Sequence, residues 1–327
     1  MLSLYPDIEP FNHFHLNVSQ DSLNAEKNKH DHYIYVEQCG NPSGIPVLFL
    51  HGGPGSGCKP SHRRYFDPKV YHIILFDQRG CGRSYPYGSL VDNTTAHLIK
   101  DIELIRQHLS INEWLIFGGS WGSTLGLNYA HYYPKNVSGL ILRGVFLARQ
   151  EDIDWVYTEK GAAKLFPNIW ENLVQNLPVS KKAQPLNEIY QQLNSGDTNL
   201  VKDIFHKLQH WETSLINWKS YIEMPNDSSA EFDCVPMIIQ LYYSINKCFL
   251  EKTPILRLLA NIQHIPTTII HGRFDMVCPI EQAWVLKREL PEANLSIIEM
   301  AGHVANEPAI IDALIKATNN FSKIHFK

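Results

Sequence analysis

The 327-residue chain is 44% hydrophobic and 19% charged, enough apolar material to bury a large core without disulfides or a structural metal, and too much for a disordered chain. Its 29 Lys and Arg stand against 33 Asp and Glu, a net charge of -4, and no block of five like charges occurs, which argues against a nucleic-acid partner. The longest apolar runs, such as Pro46 to Leu50, fall far short of the roughly 18 residues a membrane span requires, so no membrane association is expected.

The N-terminal MLSLYPDIEP has no basic n-region and no apolar h-region, unlike a signal peptide. Six cysteines (Cys39, Cys58, Cys81, Cys234, Cys248, Cys278) form no C-x-x-C pair, which suits reduced thiols, a cytoplasmic location and the lack of a zinc site.

Short apolar runs alternate with helical patterns through the first half, the signature of a mostly parallel sheet with helices on both faces, an α/β fold. Strands are predicted at about Tyr33 to Gln38, Val47 to Leu50, Ile73 to Asp77, Trp114 to Gly118 and Leu140 to Val145. Between the third and fourth, Leu98, Ile102, Ile105 and Leu109 recur at helical spacing, one apolar stripe for one sheet face. After about Arg149 the pattern changes to helix-like segments rich in tryptophan. Strand and turn patterns resume with PTTIIHGRFD (Pro266 to Asp275) and NLSIIEMAGH (Asn294 to His303). The expected organisation is therefore a core of residues 1–148 and 259–327 with a helical cap of residues 149–258 inserted between two of its strands.

Gly118-Gly119-Ser120-Trp121-Gly122 fits G-x-S-x-G where a strand gives way to a helix. A nucleophile on so tight a turn needs small neighbours, because larger side chains would collide. A serine hydroxyl is a poor nucleophile unless a histidine takes its proton and an acid holds the imidazole tautomer, so partners must follow. Asp275 and His303 each follow an apolar strand and come in the order that such an elbow requires. His271 is the rival histidine, but it precedes the acid and is better placed to orient the turn.

His51-Gly52-Gly53-Pro54-Gly55-Ser56-Gly57 closes another strand. It lacks the lysine and hydroxyl residue of a phosphate loop, and an oxyanion hole fits it better, made by the amides of Gly53 and Trp121. In Asp77-Gln78-Arg79-Gly80-Cys81-Gly82-Arg83-Ser84 a buried Arg and Asp are expected to hold loops beneath the site.

Together HGGPGSG at 51–57, DQRGCGRS at 77–84, GGSWGSTL at 118–125, LRGVF at 142–146, GAAKLFP at 161–167, WE at 211–212, GRFDMVCP at 272–279 and GH at 302–303 resemble the proline iminopeptidase (prolyl aminopeptidase) family of α/β-hydrolase serine peptidases. The resemblance implies Ser120 as nucleophile, Asp275 as orienting acid, His303 as general base and no cofactor. It also implies a small peptide substrate with a free N-terminus, whose amine Glu212 would bind. Arg143 matches an arginine that braces this carboxylate; Phe146 and Cys278 match pocket-lining positions, and Cys278 implies thiol-reagent sensitivity if accessible. In the cap, Gln240 stands where the family has a second glutamate, Ser244 where it has an aromatic residue, and Val156 where it has a tyrosine. An esterase or amidase of the same fold, or an inactive hydrolase serving as a binding protein, are the competing readings.

Overall fold

The computed structural model describes residues 1–19, 31–219 and 232–325, so part of the expected cap, residues 220–231, lies outside the described residues. Eight strands form one sheet: β1 (Asn12–Asn17), β2 (Tyr33–Gly40), β3 (Ile45–Leu50), β4 (Tyr71–Phe76), β5 (Trp114–Gly119), β6 (Val137–Arg143), β7 (Thr267–Gly272) and β8 (Asn294–Ile298). Their order is β1-β2-β4-β3-β5-β6-β7-β8, with β2 antiparallel to both of its neighbours and all pairs from β4 to β8 parallel.

The continuous apolar runs have a direct cause. Successive strand side chains point to opposite faces, and here both faces are covered. Leu48, Ile74, Ile116 and Leu142 pack on one side with Leu98, Ile102 and Ile105 of α1 (Thr95–His108) and Leu125 of α2 (Trp121–Tyr132). Val47, Ile73, Phe117 and Ile141 pack on the other with Tyr65 of a short 3-10 helix (Pro60–Tyr65) and with Ile310 and Leu314 near the C-terminus.

Between β6 and β7 the chain leaves the sheet for α3 (Gln150–Tyr157), α4 (Pro167–Val174), α5 (Leu186–Leu193), α6 (Thr198–Ile216), α7 (Val235–Ile245) and α8 (Ile255–Leu258). Ile153, Trp170, Leu173, Ile189, Leu208 and Trp211 of this stretch bury one another in an apolar cluster separate from the sheet's. α7 joins the two, with Leu241 in the insertion's cluster and Ile239 and Tyr243 in the core's. α6 starts at Asp197, whose carboxylate accepts from the amides of Asn199 (3.0 Å) and Leu200 (3.2 Å), a cap typically worth about 1 kcal/mol. α9 (Ile280–Glu289) and α10 (Pro308–His325) complete the fold.

Two differences from the sequence reading have physical reasons. β1 is not among the expected strands: its NHFHLN is a short edge strand, half-exposed, with only Phe14 and Leu16 packed on the core. β6 runs from Val137 to Arg143 rather than from Leu140 to Val145, because Trp114 of β5 pairs with Val137 and the chain turns at Gly144 with φ +53°.

Candidate active site

Ser120 sits between the end of β5 and the start of α2 with φ 56° and ψ -124°, a conformation that non-glycine residues rarely adopt. The turn is tight enough to fix its flanking residues. A Cβ on Gly118 would lie 2.3 Å from the Gly122 carbonyl oxygen, and one on Gly122 would lie 2.2 Å from that of Leu50. As first residue of α2, Trp121 has an amide with no acceptor inside the helix.

The expected partners converge on this serine. His303 Nε2 lies 3.2 Å from Ser120 Oγ, and His303 Nδ1 lies 2.7 Å from Asp275 Oδ2. Asp275 Oδ1 accepts from the amides of Val277 (3.0 Å) and Cys278 (2.7 Å). Burial alone would push the Asp275 carboxyl up, but the charge and hydrogen bond of His303, with His271 and the Cys278 amide, outweigh it and hold the carboxyl below the usual range. It is therefore ionised and accepts from His303 Nδ1–H. Asp275, Cys278 and His303 are also the one group among the described residues with the composition of a metal site, but the carboxylate oxygens are spent on the amides and the imidazole.

His271 is not part of this relay. Its Nδ1 accepts from the Val145 amide at 3.1 Å, so its Nε2–H donates to the Cys278 carbonyl at 2.7 Å and ties the loops after β6 and β7 together. Likewise the buried Asp77 accepts from the Cys58 amide (2.7 Å) and holds the 51–58 loop, but its arginine partner is the exposed Arg83 (2.7 Å), while the motif's buried Arg79 pairs with Asp101 of α1 (2.7 Å).

A cavity of about 490 Å3 opens over Ser120, lined by Gly53, Phe146, Val156, Tyr157, Glu212, Gln240, Ser244, Cys278 and His303. Glu212 faces it from α6. Tyr157 Oη donates to Glu212 Oε1 at 3.1 Å, and Gln240 Nε2 donates to the same oxygen at 2.7 Å. Burial pushes the Glu212 carboxyl up to about 7 in spite of these two hydrogen bonds. Tyr157 was missed in the sequence, where nothing distinguishes it from the Trp155 and Val156 that precede it.

Two expectations need correction. Arg143 does not brace Glu212: it lies at the end of β6, beneath the elbow, where its Nη1 donates to the His303 carbonyl at 2.6 Å. It supports the loop that carries the histidine. Cys278 lines the cavity, yet the residue is almost entirely buried, and burial together with the neighbouring Asp275 charge drives its thiol well above the ordinary cysteine range. A thiol so held is a poor target for alkylation.

A family model described as alpha/beta hydrolase fold matches residues 45–309. The proline iminopeptidase of Arabidopsis thaliana is 42% identical over 98% of this chain and 83% of its own length. That of Xanthomonas citri is 41% identical over 98% of this chain and all of its own. The chain belongs to the proline iminopeptidase family of α/β hydrolases.

Solved structures bear on the fold alone at their lower identities. A proline iminopeptidase-related protein from Thermus thermophilus superposes with a TM-score of 0.59 at 18% identity, covering 95% of this chain and 98% of its own. An epoxide hydrolase mutant from Vigna radiata gives 0.59 at 17% identity, covering 96% and 98%.

Proposed function

We propose that this hydrolase is a serine aminopeptidase that releases N-terminal proline from small peptides with a free N-terminus. The observation that carries the reading is the position of Glu212: a carboxylate facing the same cavity as Ser120, with both of its hydrogen bonds on Oε1 and Oε2 without a partner among the described residues. A cationic substrate amine seated on Oε2 fixes the peptide's end, which makes the cleavage exopeptidic.

The chemistry follows from the relay. His303 Nε2 takes the Ser120 proton as Oγ attacks the scissile carbonyl, and Asp275 holds the imidazole tautomer and stabilises its charged form. The developing oxyanion receives the amides of Gly53 and Trp121. His303 then protonates the leaving amine, and water activated by the same imidazole hydrolyses the acyl-enzyme. The helical insertion, residues 149–258, acts as a cap that supplies Glu212, Gln240, Ser244 and Val156 to the pocket, with Phe146 at its edge and Cys278 at its base. Arg143 contributes from beneath, through the His303 carbonyl.

Among the described residues no helix is long and apolar enough to cross a membrane. The six free thiols support a reducing, cytoplasmic location. A second reading, an esterase or amidase of the same fold, is favoured by the neutral Gln240 beside Glu212 and the small Ser244 and Val156 in the pocket.

Ser120→Ala tests the assignment. The variant should fold with an unchanged circular dichroism spectrum, lose turnover of proline β-naphthylamide and lose labelling by a fluorophosphonate; retained turnover would overturn it.

A further inference from the structure

Two side chains that touch neither the relay nor the cavity's acidic wall connect the two amides of the oxyanion hole. Gln78, two residues beyond the end of β4, is buried. Its Oε1 accepts from Trp121 Nε1 at 2.9 Å, its Nε2 donates to the His51 carbonyl at 3.0 Å, and its backbone amide donates to His51 Nε2 at 3.0 Å. One residue thus grips both the helix start that supplies the Trp121 amide and the loop that supplies the Gly53 amide.

The third bond also sets a tautomer. An imidazole whose Nε2 accepts must carry its proton on Nδ1. His51 Nδ1 lies 2.9 Å from the Gly52 carbonyl oxygen, so Nδ1–H donates to it. In a planar trans peptide the C=O and N–H point to opposite sides, so holding the Gly52 carbonyl toward His51 turns the Gly53 N–H the other way. Ser120 lies close by: a Cβ on Gly52 would come within 3.5 Å of Ser120 Cβ.

We infer that Gln78 and His51 are positioning residues that aim the Gly53 and Trp121 amides at the oxyanion. The inference rests on the serine-hydrolase reading above. Burial also lowers the His51 pKa, which keeps the ring neutral and Nε2 able to accept. Preorganised donors act on charge that develops only in the transition state, so a misaimed pair lowers kcat and leaves ground-state binding alone.

The test is Gln78→Met, which keeps the length and removes the side-chain hydrogen bonds, assayed on proline β-naphthylamide beside wild type and Ser120→Ala. The expected result is a kcat lower by roughly 10-fold to 100-fold, short of the 10²–10³ that follows outright loss of a donor, with KM within about two-fold. Affinity for pyrrolidine-2-boronic acid, which forms an anionic tetrahedral adduct with Ser120, should fall in parallel, while inhibition by free proline is unchanged. A folded variant with kcat within two-fold of wild type, or equal losses of boronate and proline affinity, would overturn the inference. If Gln78→Met does not fold, Trp121→Phe carries the same test, since it removes the Nε1–H bond to Gln78 along with part of the buried indole and leaves the backbone amide in place: kcat falls several-fold at constant KM, or the inference fails. Wild type that does not turn over the substrate, or Ser120→Ala that does, would instead refute the underlying hydrolase reading.

Discussion

Gln240 Nε2 donates to Glu212 Oε1 at 2.7 Å, so the carboxylate on α6 is restrained through one oxygen before any substrate arrives. A neutral amide here orients the anchor without adding a second negative charge. In the proposed reading the cationic amine is recognised by Glu212 with Gln240 as its neutral neighbour, and the consequences can be measured.

Replacing Glu212 by Gln removes a charge-assisted hydrogen bond worth about 1.5 to 3 kcal/mol, so kcat/KM on free-amine substrates should fall roughly 10-fold to 150-fold. An equal loss on N-acetylated substrates would contradict the anchor role.

The same carboxyl gives a pH signature. With its pKa near 7, Glu212 is protonated at pH 5.5 and charged at pH 8.5. The ratio of kcat/KM between wild type and Glu212→Gln on proline β-naphthylamide should therefore rise across this range. A ratio independent of pH would show that the Glu212 charge is not used.

Stability should move oppositely. The folded pKa of about 7 lies above the ordinary 4.5, so the folded state holds this proton more tightly. The stabilisation is complete below about pH 4.5 and is lost as pH rises through 7, on the order of 3 kcal/mol in all. Glu212→Gln should accordingly raise Tm at pH 8 and leave it little changed at pH 5, a difference read by thermal denaturation at the two pH values.

The elbow glycines carry a structural prediction. At Gly122 an alanine Cβ would meet the Leu50 backbone carbonyl, which has no rotamer to yield. Gly122→Ala should cost about 3 kcal/mol or more in urea denaturation and abolish turnover.

Cys278 should resist reagents despite its place beside Asp275. Iodoacetamide at pH 7.5 should leave the folded enzyme active, while the urea-unfolded chain labels at all six cysteines. Rapid loss of activity with modification mapped to Cys278 would contradict its burial.

Much of this site was legible in the chain because it is built from strand ends. Ser120, Asp275 and His303 each follow an apolar run that the parallel sheet requires, and the order of the runs places the three residues together. The half-exposed β1 left no such pattern. Arg143 could be matched by its neighbours in LRGVF, but its partner, the His303 carbonyl, is 160 residues away and carries no side-chain signature. The links from Gln78 to Trp121 and from Tyr157 to Glu212 are hidden for the same reason: their partners meet only once the sheet and the insertion have packed.

The most direct measurement compares kcat/KM on proline, alanine and leucine β-naphthylamides, each with a free and an acetylated N-terminus. Selective cleavage of the free proline compound, with acetylation lowering kcat/KM by at least the factor that Glu212→Gln does, is the result expected of a prolyl aminopeptidase anchored by Glu212. Equal or faster cleavage of the acetylated compounds would contradict that assignment and favour the esterase or amidase reading.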